Sequence, residues 1–403
     1  MAQSSPGAAD AKARAAAAVE ARAEQLLDIS HRVHENPELG FEEYFAHDLL
    51  AGAAEDAGLE VQRQAYGVET AFAARAGDSG PLVAILCEYD ALPGIGHACG
   101  HNVIAASGMG AGLAAAEVVE ELGGRLLILG TPAEEGGGGK VRLIDGGALE
   151  GVDAAIMLHP AGLELAEMQT LAVQQLYARY RGSAAHAAAA PELGRNALDG
   201  AVLGYMAAAA LRQHIGDDER LHGIFTDAGQ KANIVPAYAE AHWYARSPTA
   251  ARLEMLKDRL ESCLIGGAAA AGVDVELEWA TFLFQEVRSN GPLVELWCAN
   301  AAQLGRHPQT PAAGRTVVGS TDMGNVSQLV PSIHPMIAVA PPEVALHTES
   351  FAEYARSASG DRGVIDGAKL LAAVAIDYWG DESVRAAVAA DFAGGPAGAA
   401  AAG

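Results

Sequence analysis

Three short apolar runs in the first half of the chain restrict its fold more than any other feature. Residues 82–87, 126–129 and 154–158 are nearly all apolar, and turn residues bound each run. Runs of this length are typical of strands that are buried on both faces of a sheet. Helical stretches at 103–121 and 140–144 separate the runs. The alternation predicts an α/β domain with a mainly parallel sheet.

The middle of the chain combines strand-like and helical segments in another pattern. The strand-like segments are 171–181 and 238–246, and the helical ones are 193–213 and 250–265. This mixture predicts a separate α+β domain at 170–285, because the α/β pattern resumes at Leu293. The first domain then consists of residues 1–169 and 286–393. Residues 394–403 contain only Ala, Gly and Pro, and we expect a disordered tail. Helical patterns also occupy the ends of the chain, at 11–27, 42–57 and 351–378.

The length and charge of the chain narrow its class. At ~100–200 residues per domain, a chain of 403 residues is expected to have two domains. The formal net charge is −25 and no Lys/Arg cluster occurs, so a nucleic-acid partner is not expected. Any site for a small anion must therefore be built locally, from a few Arg or His side chains or metal ions.

The sequence also bears on the compartment. No apolar run approaches the ~20 residues that span a membrane, and the N-terminus lacks the basic-then-apolar order of a secretory signal. The four cysteines, Cys87, Cys99, Cys263 and Cys298, have no paired short spacing, which favours free thiols in a reducing compartment. We therefore expect a cytoplasmic protein with no membrane partner.

Polar side chains follow each of the three apolar runs. Asp90 follows the first run, Glu134 and Glu135 follow the second, and His159 follows the third. Ligands of open α/β sheets bind outside the carboxyl ends of the strands. The sequence therefore predicts one shared site that contains all four side chains.

The sequence offers five side chains of the kinds that bind transition metals: Cys99, His101, Glu135, His159 and His347. A lone Cys or His at the start of a helix is more often a buried core residue, so only the whole set indicates a metal site. Thiolate, imidazole and carboxylate together suit Zn²⁺, Mn²⁺, Co²⁺ or Ni²⁺. Five ligands exceed the three that are usual for a single catalytic zinc. A bridged pair of divalent ions fits them better.

Glu134 and Glu135 are adjacent, so they cannot easily bind the same ion. A division of roles follows, in which one carboxylate is a ligand and the other accepts a proton from water. The alternative is a pair of solvated surface acids, which is the commoner explanation of such a dipeptide. The position after an apolar run and before the glycines at 136–139 favours the site.

Seven segments, in order over nearly the whole chain, resemble peptidase family M20. They are HRVHENPELGFEE (31–43), EYDALPGIGHACGHN (88–102), TPAEEGGGGK (131–140), GSAAHAAAAPELGRNALD (182–199), ANIVPAYAEAHWYARSP (232–248), GSTDMGNVS (319–327) and LHTESF (346–351). The resemblance is to the branch that contains aminobenzoyl-glutamate hydrolase, indole-acetyl-amino-acid hydrolases and related dipeptidases. Many members have Asp where this chain has Asn102, whereas the dipeptidase-like members tend to have Asn. The resemblance therefore favours the dipeptidase-like subgroup.

The resemblance implies a metallo-aminopeptidase-like catalytic domain that is interrupted by an inserted dimerisation, or lid, domain. The five metal-type side chains named above would bind two divalent ions, with Cys99 as a candidate bridge. Glu134 would be the general base. Asp90 would be the carboxylate that orients the metal cluster.

For the inserted domain, the resemblance implies that His186 reaches the scissile carbonyl, commonly from the partner subunit of a homodimer. Asn233 and Arg246 would hold the far end of the substrate, and Ser320 is a further substrate-binding candidate. Without the resemblance, His186 would be interpreted as a structural histidine and Arg246 as a surface charge.

The expected function is a metal-dependent amide hydrolase for a small carboxylate-bearing substrate. A dipeptide, an N-acyl amino acid and an aminobenzoyl-glutamate-like compound all remain open as substrates, and Zn²⁺ and Mn²⁺ remain open as metals, with Co²⁺ or Ni²⁺ as alternatives. The alternative function is a catalytically idle, dimeric binding or regulatory relative of the same fold. A serine hydrolase is not supported, because the chain has no Gly-x-Ser-x-Gly motif.

Overall fold

A computed structural model describes residues 6–310 and 319–395 of the chain. Their helices are α1 (Pro6–Ala21), α2 (Ala23–Glu35), α3 (Tyr44–Asp56), α4 (His101–Ala116), α5 (Gly139–Asp145), α6 (Ala197–Leu211), α7 (Ala250–Ala271), α8 (Gly291–Gln303), α9 (Met323–Leu329), α10 (Glu349–Ala355), α11 (Ala358–Gly380) and α12 (Glu382–Ala393). Their strands are β1 (Glu60–Arg63), β2 (Phe72–Ala76), β3 (Leu82–Glu88), β4 (Arg125–Thr131), β5 (Ala154–Ile156), β6 (His159–Ala161), β7 (Ala172–Arg181), β8 (Arg220–Asp227), β9 (Tyr238–Ser247), β10 (Asp274–Trp279), β11 (Ser332–Ile333) and β12 (Met336–Ala338).

The described residues form two compact units, which divide at 169/170 and at 286/287. The second unit, residues 170–286, also takes in residues 319 and 320. The predicted boundaries instead placed Ser320 with the second part of the first domain. Local pairing is the cause, since the Leu171 N–H donates to the Gly319 carbonyl at 3.1 Å and the Ser320 hydroxyl donates to the Leu171 carbonyl at 2.8 Å.

The first unit is built on a six-stranded sheet with the order β1-β2-β4-β3-β5-β11. Strands β4, β3, β5 and β11 are parallel, and β1 and β2 form an antiparallel edge. Strands β3 and β4 are buried along nearly their whole length, as their apolar composition predicts. Their register pairs Glu88 with Thr131, so the segments that carry Asp90 and Glu134 leave the sheet side by side.

Helix α4 occupies the centre of the first unit. It is buried from His101 to Ala115, which is expected of a helix that is apolar on all sides. It packs against α11, α2 and strand β3. Because α4 begins directly after the Cys99-Gly100 segment, the core of the unit holds that segment in place.

The second unit contains an antiparallel sheet with the order β10-β7-β9-β8, and helices α6 and α7 pack together over it. Burial alternates along β7 and β9 with the period of two that a half-covered sheet requires. Leu176, Tyr180 and Trp243 lie in the core beneath the helices. Strand β8 is the exposed edge of this sheet. The predicted α/β fold with a mainly parallel sheet and an inserted α+β domain is confirmed.

Several predicted helices are divided in the structure. Segment 193–213 becomes helical at Ala197, because the Asn196 side chain accepts hydrogen bonds from the Leu198 and Asp199 N–H groups and caps α6. Segment 351–378 is two helices, since Ser357 caps α11 in the same way. Segment 11–27 is divided between α1 and α2 at Arg22, and nothing in the structure explains that break.

Other differences concern strands. The run 154–158 ends as a strand at Ile156, and His159 begins β6, which pairs with β12 in a separate two-stranded sheet. Strands β1, β2, β8 and β10 and helix α12 were not predicted. The predicted tail lies outside the described residues from 396 onwards. Among the residues that the structure describes, no helix combines the length and apolar character needed to cross a membrane.

Candidate metal centre and active site

The five predicted metal ligands lie together in the first unit. The ligand atoms of Cys99, His101 and His159 lie within 4.8 Å of one another, and so do those of Cys99, Glu135 and His347. Cys99 belongs to both groups, as the thiolate that bridges two ions would. Cys99, His101 and His159 are buried, whereas His347 remains half exposed. The structure therefore brings together residues that are up to 248 positions apart in the chain.

The backbone around Gly100 allows Cys99 and His101 to reach the same place. Gly100 has a φ of +79°, and a Cβ atom added there would lie 2.6 Å from Cγ of Pro160. Both facts require glycine, because other residues rarely adopt this conformation and any side chain would collide. His347 has a φ of 64°, which is uncommon for a residue with a side chain, and its N–H donates to the Ala98 carbonyl at 2.9 Å. That hydrogen bond ties His347 to the segment that carries Cys99.

Hydrogen bonds determine which nitrogen atom each buried imidazole presents. Nδ1 of His101 lies 3.0 Å from Oδ1 of Asp90, and Nδ1 of His159 lies 2.7 Å from the Pro160 carbonyl. Nδ1 of each ring therefore donates a hydrogen bond, which leaves Nε2 as the atom that would bind a metal ion. Nε2 of His159 lies 3.4 Å from Sγ of Cys99, and Nε2 of His101 has no hydrogen-bond partner in the part of the chain described. The donor set fits a pair of divalent metal ions.

Burial and nearby charges shift the pKa values of these groups. Burial, together with the charge of His101, lowers the pKa of His159 to about 4, so this imidazole is neutral at pH 7 as a ligand must be. Burial alone would lower the pKa of His101, but the Asp90 carboxylate and the Cys99 thiol together outweigh it and raise that pKa well above the usual value. A more basic imidazole is a stronger metal ligand, and the contact with Asp90 is compatible with the orienting role predicted for that residue.

Glu134 and Glu135 have different surroundings. Oε1 of Glu135 lies 3.3 Å from Nε2 of His347, among the predicted ligands. Glu134 is buried, and an oxygen atom of its carboxylate lies within 4.8 Å of ligand atoms of Glu135 and His101. Burial, with the charge of Glu88 next, raises the pKa of Glu134 well above the usual value for a carboxyl group. A raised pKa suits a group that must accept a proton.

Three residues of the site were not predicted, although each lies in a segment that resembles family M20. Glu88 ends β3, Lys140 is the second residue of α5, and Asp322 directly precedes α9. Glu88 and Asp322 form a further group of carboxylates with Glu134. The one signal in the sequence was the charge of these residues, which is unusual next to buried strands and glycines. A single sequence does not show that Glu88, Lys140 and Asp322 lie in contact.

His334 is a fourth buried polar residue of this region that was not predicted. Its ring centroid lies 5.7 Å from that of His159, and neither of its nitrogen atoms has a hydrogen-bond partner within the described residues. Burial lowers the pKa of His334 well below the usual value, so the ring is neutral.

The predicted residues of the inserted domain form two local pairs in the second unit. His186 pairs with Ile234 in an isolated bridge, and the Ala187 N–H donates to the Asn233 carbonyl at 3.0 Å, so His186 and Asn233 lie on neighbouring segments. The His186 side chain is exposed, and its Nδ1 accepts weak hydrogen bonds from the backbone N–H groups of residues 188 and 189. Nδ1 is thus occupied, and Nε2 of His186 is the atom that would make the substrate contact predicted for this residue.

Arg246 forms the second pair, with Ser320. Nη1 of Arg246 donates to the Ser320 hydroxyl at 3.0 Å, and the guanidinium carbon lies 5.5 Å from the centre of the Tyr244 ring. No ion pair joins Arg246 to any acidic residue that the structure describes, although burial is sufficient to lower its pKa. A partly buried cation without a carboxylate partner is suited to bind the carboxylate of a ligand.

Comparison with known proteins identifies the family. The sequence profile of "Peptidase family M20/M25/M40" matches residues 84–376. A Xaa-Arg dipeptidase from Mus musculus is 38% identical over 382 residues, which cover 91% of this chain and 88% of that protein. One p-aminobenzoyl-glutamate hydrolase subunit from Escherichia coli is 29% identical over 443 residues, covering 91% of this chain and 92% of that protein.

A solved structure also shares the fold. The crystal structure of a dinuclear metal-binding peptidase of family M20 from Bacillus subtilis superposes with a TM-score of 0.68 at 20% identity, covering 89% of this chain and 99% of that chain. The resemblance seen in the sequence is confirmed, and the chain belongs to peptidase family M20.

Proposed function

We propose that this protein is a two-metal dipeptidase whose substrates end in a basic residue. The observation that carries the proposal is that one thiol, three imidazoles and one carboxylate form two ligand groups that share Cys99, with a second carboxylate, Glu134, beside them. A binding or regulatory relative would need neither the complete ligand set nor the base.

The residues of the chain divide the reaction among them. When bound, the two divalent ions would activate water and polarise the scissile carbonyl. The five ligand residues would hold the ions, and Asp90 would keep the His101 ring in the orientation that presents Nε2. Glu134 would take a proton from the attacking water and pass it to the leaving amine. Arg246 would bind the C-terminal carboxylate of the dipeptide.

The preference for a basic residue rests on charge and on similarity. The protein has a formal net charge of −25, which attracts a cationic substrate and repels an acidic one. The 38% identical relative is a Xaa-Arg dipeptidase. Aminobenzoyl-glutamate, which is acidic, is the second candidate, because the hydrolase subunit that covers the same share of this chain is named for it.

A substrate panel with controlled metal content tests this function. The purified protein is stripped with a chelator, reloaded with Mn²⁺ or Zn²⁺, and incubated with Ala-Arg, Ala-Lys, Ala-Glu, N-acetyl-arginine and aminobenzoyl-glutamate. We expect metal-dependent hydrolysis of Ala-Arg and Ala-Lys, with kcat/KM at least tenfold above that for Ala-Glu. Preference for aminobenzoyl-glutamate would establish the second candidate. A fully metallated protein that cleaves none of these substrates would favour the binding or regulatory relative.

The homodimer is likewise a proposal, and the surface of the second unit supports it. Large apolar side chains are exposed on α6 and on the edge strand β8, among them Leu203, Met206, Ile224 and Phe225. An exposed edge strand with apolar side chains is a ready site for pairing with a second chain. The metal identity and the cytoplasmic location stay predictions.

A further inference from the structure

The carboxylates of Glu88, Glu134 and Asp322 form a buried acidic group whose ligand atoms lie within 4.8 Å of one another. All three side chains are nearly inaccessible to solvent. Three buried carboxylates at this spacing repel one another strongly and attract a cation. The group could therefore hold a divalent ion, which would bind Glu134 and take it away from proton transfer.

Lys140 supplies the cation from within the chain. It is 1% exposed, its Nζ contacts Oε1 of Glu88, and the same Nζ lies 2.6 Å from Oδ1 of Asp322. The backbone N–H of Lys140 donates to the other oxygen atom of Asp322, Oδ2, at 2.8 Å. Both oxygen atoms of Asp322 and one of Glu88 are thus bound by Lys140.

Three oxygen atoms remain, but they belong to only two residues, Glu88 and Glu134, which are too few protein ligands for a metal site. Oε2 of Glu88 lies 3.6 Å from Nε2 of His101 and is directed towards the predicted ligands. Glu134 is then the one carboxylate of the acidic group that Lys140 leaves uncontacted. Divalent ions with oxygen ligands need about six of them, and catalytic zinc usually takes three protein ligands.

From this geometry we infer that Lys140 is a positioning residue that excludes a divalent ion from the Glu88–Glu134–Asp322 group and so reserves Glu134 as the base. The inference rests on the proposed two-metal hydrolase. The ammonium group of Lys140 thereby restricts metal ions to the group around Cys99. Lys140 acts through the carboxylates it binds and does not touch the substrate.

Metal counting on the Lys140→Met variant tests the inference. Methionine has similar length and no charge, so one oxygen atom of Glu88 and one of Asp322 lose their contact with Nζ and become available. The backbone N–H of residue 140 still donates to Oδ2 of Asp322. We expect the variant, dialysed in Mn²⁺ and measured by elemental analysis, to hold one ion per chain more than the wild type. Its kcat should fall at least tenfold with KM changed less than threefold, because Glu134 becomes a ligand. The double variant Lys140→Met/Asp322→Asn removes one carboxylate of the group and should return the ion count to that of the wild type.

Lys12→Met is the matched control, since Nζ of Lys12 lies 2.8 Å from Asp377 in another largely buried ion pair of the first unit. It should lower the melting temperature and leave the ion count and kcat unchanged. A Lys140→Met variant with the wild-type count, or with fewer ions, overturns the inference whatever its activity. If that variant is unfolded by circular dichroism, Lys140→Gln replaces it with the same expected count. The ion count is measured without a substrate. A failure of the Lys140 inference can therefore be distinguished from a failure of the proposed dipeptidase function.

Discussion

Asp90 joins His101 to the segment that carries the two adjacent glutamates. Its Oδ1 lies 3.0 Å from Nδ1 of His101, and its Oδ2 accepts a hydrogen bond from the Glu135 N–H at 2.9 Å. Through one buried carboxylate, the segment that follows β3 therefore sets both the orientation of the His101 imidazole and the backbone position of Glu135, two of the predicted metal ligands. Such a carboxylate behind a metal-binding histidine increases the metal affinity of the site.

Replacing Asp90 by Asn should weaken metal binding by about 10- to 100-fold, because the amide neither raises the basicity of His101 nor carries charge. The dissociation constant for Mn²⁺, measured by isothermal titration of the stripped protein, checks this. Asp361→Asn is the control, since Asp361 forms a similar contact with His31 at 2.7 Å. Equal metal affinity in wild type and Asp90→Asn would remove the orienting role.

Glu134→Gln should keep the metal ions and the fold and lose about 10²- to 10⁴-fold in kcat, because the amide cannot accept a proton from water. Elemental analysis and steady-state kinetics on a cleaved dipeptide separate the two effects. Glu135→Ala, Cys99→Ala and His159→Ala should instead lose bound metal. A Glu134→Gln variant that keeps more than a tenth of the wild-type kcat would show that another group is the base.

Gly100→Ala should destabilise the protein more than Gly94→Ala. Both glycines have nearly the same positive φ, +79° and +78°, so each substitution carries a similar backbone cost of ~1–3 kcal/mol. A Cβ at Gly100 meets Pro160 at 2.6 Å, whereas nothing lies within 4 Å at Gly94. The collision should also displace Cys99 and lower the metal content. Melting temperature and ion count measure both effects. Two variants of equal stability and full metal content would show that the contact with Pro160 relaxes without cost.

The part of the fold that the sequence predicts is the part with a strong burial signal. Strands β3 and β4 are buried on both faces and are therefore continuous apolar runs. Strands β1 and β10, with the sequences EVQR and DVELEW, are exposed or half-exposed edge strands, and such strands have no apolar run to detect. Edge strands depend on the neighbour with which they pair, which local composition does not reveal.

The burial signal of the strands also distinguishes the predicted residues of the site from the missed ones. Asp90, Glu134 and Glu135 were predictable because each directly follows a buried strand. Lys140 pairs with Glu88 and Asp322, which are 52 and 182 positions away, and a single sequence contains no signal for such a contact. Lys140 was predicted to begin a helical stretch, but its charge alone favoured a position on the surface.

His186 offers a test of the dimer. We expect the inactive variants His186→Ala and Glu134→Gln to regain activity when they are mixed, because a hybrid dimer would contain one site with both residues intact. The theoretical maximum is about a quarter of the wild-type activity if the subunits exchange freely and each site uses His186 of the partner subunit. Exchange is followed by labelling the two variants with different fluorophores. No recovery despite measured exchange would mean that His186 acts within its own chain or has no role in hydrolysis.

Arg246 is the residue on which substrate choice is expected to depend. The protein has a net charge of −25, so a carboxylate needs a local cation, and Arg246 has no acidic partner within residues 6–310 and 319–395. Arginine can bind a carboxylate with two parallel hydrogen bonds, whereas lysine offers a point charge. Truncating one partner of such a pair costs about 2–5 kcal/mol, which corresponds to a loss of about 30-fold or more.

Arg246→Ala should therefore lower kcat/KM for a dipeptide by at least about 30-fold. For the dipeptide amide, which has no carboxylate, the loss should be several times smaller. Arg252→Ala is the matched control, because Arg252 is an arginine of the same unit whose guanidinium lies 2.8 Å from Asp218 and is already paired. Its kcat/KM should remain within threefold of the wild type for both substrates. Equal losses for the acid and the amide in Arg246→Ala would mean that Arg246, with its contact to Ser320, supports the fold of the second unit and does not recognise the carboxylate.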